Sequence, residues 1–235
     1  MKVLSIITVV RNDYEALLIT EKSIIEQRQL GAKIEWIIID ACSKDKTIEY
    51  FSKESNLNVD TFISEPDKGI YDAMNKGIRC AKGFGLIFLN AGDYFVGKLL
   101  ANISPNDVPC FLKVKYKNYF GKYKTRRISS KYLGIPNGHQ GIIFENSKKI
   151  FYDIRYKICA DYKYFLDYGY TEKLDYLKAD GYVFWDQGVS LQNWKDRDKE
   201  IFDIRRKYFG LGIAIIYESR PLIKRILRTL IFRDL

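Results

Sequence analysis

The 235-residue chain can bury a sizeable core in one compact domain, and its 47% hydrophobic content excludes the disordered and fibrous classes. Thirty-nine Lys and Arg against 29 Asp and Glu leave a charge of +10, which implies an anionic partner: nucleic acid, a phosphate-rich ligand or a membrane surface. A single histidine excludes any metal site built from several imidazoles, so a metal here must rest on oxygen ligands.

Residues 3–10 are a continuous apolar, β-branched run. They read as a strand covered on both faces rather than a leader peptide, since no small-residue cleavage site comes before the polar RND. Asn12 or Asp13 can cap the next helix and Gly31 can end it. IEWIIID, ending at Asp40, is a second such strand, and Ser43 or Asp45 can cap a helix over CSKDKTIEYF. TFIS is a short third strand. Ile70, Ala73, Met74, Gly77, Ile78 and Ala81 recur at helical spacing, with a stop at Gly83. LIFLNAGDYF follows, an apolar run that halts at the carboxylate of Asp93. Strand and helix thus alternate four times, which predicts an α/β fold with a doubly wound, mostly parallel sheet. Ligands of such sheets sit outside the carboxyl ends of the strands. Those ends carry Arg11 and Asn12, Asp40, and Asn90 with Asp93, so an acid there is expected to face a cleft.

The second half reads differently. FLKVKYKNYFGKYKTRRI alternates Lys113, Lys115 and Lys117 with Leu112, Val114 and Tyr116, which predicts a basic hairpin turning near Gly121. LGIPNGHQG is a Pro/Gly-marked loop, IIF a strand, and YKICADYKYFLDYGY turns helical from about Asp161. Residues 201–235 read as a basic amphipathic helical tail with a surplus of five positive charges, broken at Pro221. Cys42, Cys80, Cys110 and Cys159 show no C-x-x-C pairing and read as reduced thiols of a cytoplasmic protein. No run of eighteen apolar residues occurs, so no transmembrane helix is expected.

Taken together, SIITVVRND, IIIDACSKDKT, ISEPDKGIYDAMNKGI, LIFLNAGDYF, GHQGIIF and CADYKYF resemble a family 2 glycosyltransferase of the nucleotide-sugar GT-A fold. The likeness is closest to the bacterial branch that assembles O-antigen, capsule and colanic-acid polysaccharides, and it covers about residues 1–195. It implies one catalytic domain over 1–200, with a nucleotide and donor half at 1–100 and an acceptor half at 101–200, followed by the tail at 201–235. The implied reaction is inverting transfer of a sugar from a nucleoside diphosphate, a UDP-sugar for choice, to a saccharide acceptor linked to polyprenyl diphosphate. The tail would then touch the cytoplasmic face of the inner membrane peripherally.

The resemblance gives Asp40 a nucleotide role, which fits a carboxylate able to accept hydrogen bonds from uracil or ribose; a turn aspartate is the plain alternative. Thr8 and Asn12 offer further contacts to the base. Asp67 and Lys68 precede a helix whose free N–H groups favour phosphate, and Tyr71 and Asn75 share a face that could point into the same cleft. Related enzymes commonly carry D-x-D-D where this chain has Asn90, Ala91, Gly92 and Asp93. Only Asp93 remains to hold Mn2+ or Mg2+, which is sufficient once donor phosphates complete the shell. Asp161 occupies the family's acid position and becomes the expected base, with an N-cap as its ordinary alternative. His139 and Gln140 fall on the acceptor side by the same likeness. Trp185 and Trp194 could stack on sugar or simply pack.

Two other readings compete, and two more lack their motifs. A glycosyltransferase-like module that binds saccharide or membrane without chemistry would account for the reduced metal motif. The Lys-rich hairpin with its aromatics could bind RNA, but nothing else supports a nucleic-acid partner. A dehydrogenase is excluded by the missing G-x-G-x-x-G after the first strand, and a Ser hydrolase by the missing G-x-S-x-G.

Overall fold

The computed structural model describes residues 3–51, 57–117, 122–125, 131–132, 135, 138–169, 174–185 and 194–219. Strands β1 (Leu4–Val10), β2 (Ile34–Asp40), β3 (Thr61–Ser64) and β4 (Gly85–Phe88) are joined by helices α1 (Tyr14–Gln29), α2 (Lys46–Phe51) and α3 (Ile70–Cys80). β1 pairs in parallel with β2 and β4, and β2 with β3. Two more strands, β6 (Cys110–Phe111) and β9 (Ile142–Glu145), extend the sheet in the order β3-β2-β1-β4-β9-β6, with β9 antiparallel to both neighbours.

The strands are apolar along their whole length because both faces are covered. Ile7, Val9, Ile37 and Ile39 point to the core shared with α3 and with α4 (Ala160–Asp167), whereas Leu4, Ile6, Val10, Trp36 and Ile38 point to the side of α1 and α2. Gly77 lets α3 lie directly on β1, since a Cβ there would come within 2.4 Å of the Ile7 side chain. The strand order reverses at β1, with β2 and β3 on one side and the parallel β4 on the other, and such a switch point leaves a crevice at the carboxyl edge of the sheet.

A second sheet runs β5 (Tyr94–Lys98), β10 (Asp180–Trp185), β7 (Val114–Lys117), β8 (Tyr123–Thr125). The expected basic hairpin is β7 and β8, which are antiparallel; its turn lies outside the described residues. Gln27 of α1 fastens this sheet to the first, donating to Gly97 O at 2.7 Å and accepting from the amides of Leu99 and Leu100.

Two boundaries differ from expectation. The run LIFLNAGDYF is not one strand: β4 stops at Phe88, a turn follows, and β5 starts a different sheet at Tyr94. The break expected between residues 200 and 201 falls inside α5 (Trp194–Phe209), whose Ile204 is fully buried in the core. Residues 211–219 are helical and dock through Ala214, while Pro221 and the rest of the tail lie outside the described residues. So do the side chains of Trp185 and Trp194. Among the described residues no helix is long and apolar enough to cross a membrane, and all four cysteines are free thiols.

Candidate active site

The loops after β1 and β2 are sewn together at the cleft rim. The Asn12 amide donates to Ser43 Oγ at 2.7 Å, and Asn12 Oδ1 accepts from the Lys44 amide at 2.7 Å. Asp45 caps α2 by accepting from the Thr47 amide, and its other oxygen accepts from the Tyr14 amide at the start of α1. These two bonds and the Thr47 hydroxyl hold the Asp45 carboxyl below its ordinary value against a burial effect of opposite sign. Asn12 (φ 51°) and Cys42 (φ 53°) both adopt the left-handed region, a strain that persists only where surrounding bonds over-determine it.

Asp40 is placed otherwise than its nucleotide role requires. Its side chain has no exposed surface, and its carboxylate accepts from the Ser43 amide (3.0 Å), the Ser43 hydroxyl and the Ser64 hydroxyl (2.6 Å). It therefore shapes the rim from beneath rather than facing it. Thr8 is corrected likewise: it is fully buried inside β1, where its hydroxyl accepts from the Trp36 indole N–H at 2.9 Å. Of the expected base-contacting residues, Asn12 alone is exposed.

At the start of α3 the Asp67 carboxylate accepts from the Gly69 amide at 2.8 Å, and the Lys68 amide donates to Asp72. Lys68 itself is exposed, beside a helix start with no side-chain cap. Tyr71 and Asn75 do not point into the cleft as expected. Asn75 grips Tyr152 by both backbone groups, donating to its carbonyl (2.9 Å) and accepting from its amide (2.7 Å). The Tyr71 hydroxyl donates to Ile158 O at 2.6 Å. Burial, reinforced by the nearby Asp161 charge, pushes the Tyr71 and Tyr152 phenols well above their ordinary value.

The turn between β4 and β5 carries Asn90 and Asp93. It closes with the Asp93 amide donating to Asn90 O at 3.0 Å, and Thr20 of α1 holds it by donating to Asp93 O and accepting from the Gly92 amide. Gly92 has φ 91°, which an L side chain rarely adopts. Asp93 is only 3% exposed, so its carboxylate is sunk below the rim instead of standing in the cleft. Asn90 Oδ1 is buried and has no hydrogen-bond partner among the described residues. The same turn thus carries a hard amide oxygen and a hard carboxylate, ligand types that suit Mg2+ or Mn2+ with a shell completed by water and phosphate. Among the described residues no group of three acidic, His or Cys side chains could hold a metal without such help.

Of the three residues taken from the second half, His139 and Asp161 meet. His139 Nδ1 lies 3.4 Å from Asp161 Oδ2, and Gln140 is buried beside it in the same tight turn before β9. The His139 ring stands edge-on to Phe88, which also contacts Tyr152 and Tyr164; Tyr152 is in turn stacked on Tyr164 at 4.1 Å. Asp161 keeps 27% of its side chain exposed. Its Oδ1 accepts from the adjacent Tyr162 amide, but the expected N-cap role is not met: Asp161 lies inside the first turn, the N-cap position is Cys159, and no side chain caps the helix.

Sequence reasoning passed over Ser64, Thr20, Tyr152 and Glu200, and took Ser43 only as a possible helix cap, where it instead bonds Asp40 and the Asn12 amide. Their roles come from pairings 20 or more residues apart along the chain, except that of Ser43 with Asp40, and no local pattern announces them.

The mostly parallel sheet with its strand switch and flanking helices has the GT-A fold. S. aureus TarS in complex with UDP-GlcNAc aligns with a TM-score of 0.61, covering 94% of this chain and 72% of its own at 13% identity. A mannosyltransferase from Pyrobaculum calidifontis, in complex with GDP-Man and Mn2+, aligns at 0.57 over 95% and 75% with 14% identity. The glycosyl transferase family 2 model matches residues 5–155, and the chain belongs to that family. An uncharacterized glycosyltransferase of Mycobacterium tuberculosis is 44% identical over 93 residues, which are 40% of this chain and 35% of the relative's own length.

Proposed function

We propose that the protein is an inverting glycosyltransferase that moves a sugar from a nucleoside diphosphate, a UDP-sugar by preference, to a saccharide acceptor. The observation that carries this reading is the His139–Asp161 pair facing the loops of a doubly wound sheet in a family 2 chain. Asp161 takes the proton of the acceptor hydroxyl as that oxygen bonds the anomeric carbon; the bond from that carbon to the diphosphate breaks, and nucleoside diphosphate leaves with the electron pair. His139 orients the carboxylate, while Asn12, the amides at the start of α3 and Lys68 receive the nucleotide and its phosphates. Asp93 and Asn90 would hold Mn2+ or Mg2+, which when bound neutralises charge on the leaving diphosphate. Asp40 and Thr8 serve by position only.

The acceptor is a saccharide linked to polyprenyl diphosphate in bacterial surface-polysaccharide assembly, met at the cytoplasmic face of the inner membrane. Helix 211–219 supports this with Leu211, Ile215 and Ile216, each more than half exposed, just ahead of the basic tail. Each basic residue near an anionic membrane contributes about 1 kcal/mol. Incubation with Mn2+ and a panel of nucleotide sugars, with and without lipid-linked acceptor, tests the reading. Donor-dependent release of nucleoside diphosphate supports it; donor binding without release by the parent protein would leave a binding module instead.

A further inference from the structure

Helix α4 begins at Ala160 with no side chain capping its first turn. The amides just ahead of it are nevertheless satisfied, from a distance in sequence. The carboxylate of Glu200, on α5, accepts from the amides of Lys157 (2.7 Å), Ile158 (3.0 Å) and Cys159 (2.8 Å). An anion gathering successive N–H groups at a helix entry is the arrangement the helix dipole favours. The same short segment is held on its other side by Tyr71, which bonds the Ile158 carbonyl, and upstream by the Asn75–Tyr152 pair. Residues 152–161 are thus gripped between α3 and α5, and the residue delivered at the end of the grip is Asp161.

We infer that Glu200 is a positioning residue for the acceptor-side carboxylate: by fixing the backbone of residues 157–159 it sets Asp161 at its distance from His139. The inference rests on the reading of Asp161 as the base. α3 reaches the segment through a hydroxyl and an amide, which can adapt, and Asp203 and Lys207 of α5 reach it only at the Tyr156 hydroxyl, whereas Glu200 is the charge bonded to its backbone; without it three amides lose their common acceptor and the turn can relax. A displacement of about 1 Å at a reacting group can lower a rate about 100-fold. Both ends of this contact lie beyond the residues matched by the family model.

Three variants test it: Glu200→Gln, Glu200→Ala and Asp161→Asn, each assayed for release of nucleoside diphosphate, donor affinity by calorimetry and amide exchange over 150–165. Glu200→Gln keeps the side-chain volume and one acceptor oxygen, so it reports even if Glu200→Ala does not fold. The expected result for Glu200→Gln is a kcat about 10-fold below the parent, with donor affinity unchanged and faster exchange at 157–159. A parental kcat in Glu200→Gln and Glu200→Ala, beside an inactive Asp161→Asn, overturns the inference and leaves the base intact. Parental turnover in Asp161→Asn removes the base, and the inference with it. A donor affinity that falls in step with kcat also overturns it, since the effect would then be general loosening.

Discussion

The two sides of the cleft handle their acids in opposite ways. On the side built from β1–β4, Asp40, Asp45 and Asp67 are all engaged with backbone amides or serine hydroxyls of their own or neighbouring loops and strands. On the other side Asp161 keeps an oxygen directed at His139 and more than a quarter of its side chain open. The lesson is that a carboxylate at the carboxyl end of a strand need not be a ligand. Shaping a loop so that its amides face a phosphate calls for an acceptor behind the loop, and an acid fully bonded there is the cheaper way to build it. Under the proposed function, the proton chemistry falls to the side where a carboxylate is still open.

The sharpest way to break that contrast is at Asp93, the one acid of the first side given a ligand role. Asp93→Ala is expected to lower release of nucleoside diphosphate by about 1,000-fold, and excess chelator should do the same to the parent; such losses are typical of removing charge stabilisation from a leaving group. Turnover persisting in chelator would place Asp93 with its scaffold neighbours. Next comes Asn75→Ala, which strands the amide and carbonyl of Tyr152 in the core. Each buried unsatisfied group costs about 1–3 kcal/mol, so urea denaturation should show a loss of about 2–4 kcal/mol. Donor affinity at a temperature where the variant is folded should stay within about twofold, a difference of under about 0.5 kcal/mol.

Asp40→Asn retains an acceptor but loses the charge, and a destabilisation of about 1–2 kcal/mol is expected, again without a specific defect in uridine binding. Parental stability with lost uridine binding would return Asp40 to the base-contacting role. The smallest effect lies away from the cleft, on α5. Hydrogen bonds from Lys207 and then Tyr156 hold Asp203 down to about 2. A carboxyl depressed in the folded state stabilises above its unfolded value and loses that contribution as pH falls through the folded one. Asp203→Asn should therefore flatten the fall in stability between about pH 4 and pH 2. Near neutral pH the change should stay under about 1 kcal/mol, because the pair is partly exposed and screened.

Much of the fold was legible because the parallel strands are buried on both faces and so spell out uninterrupted β-branched runs. α3 announced itself through apolar spacing, and the Lys-alternating hairpin through its period of two. The break within LIFLNAGDYF was not legible: Phe88 and Phe95 are both core residues, and apolar continuity does not say that the chain has changed sheets between them. Nor was the reach of α5, since polar Glu200 and buried Ile204 acquire meaning only from α4 packed against them. In the site, His139 and Asp161 could be picked out by resemblance. Asp40 and Thr8 could not be recognised as scaffold, because Ser64 and Trp36, which occupy them, lie 24 and 28 residues away.

One paired measurement on Asp161→Asn separates the two sides most directly: donor affinity by calorimetry and acceptor-dependent turnover on the same preparation. Unchanged affinity for the UDP-sugar with kcat lowered by about 100- to 10,000-fold is the expected result. Turnover near the parental rate, or affinity lost along with it, would contradict the division of labour between a donor side built by bonded acids and an acceptor side that moves the proton.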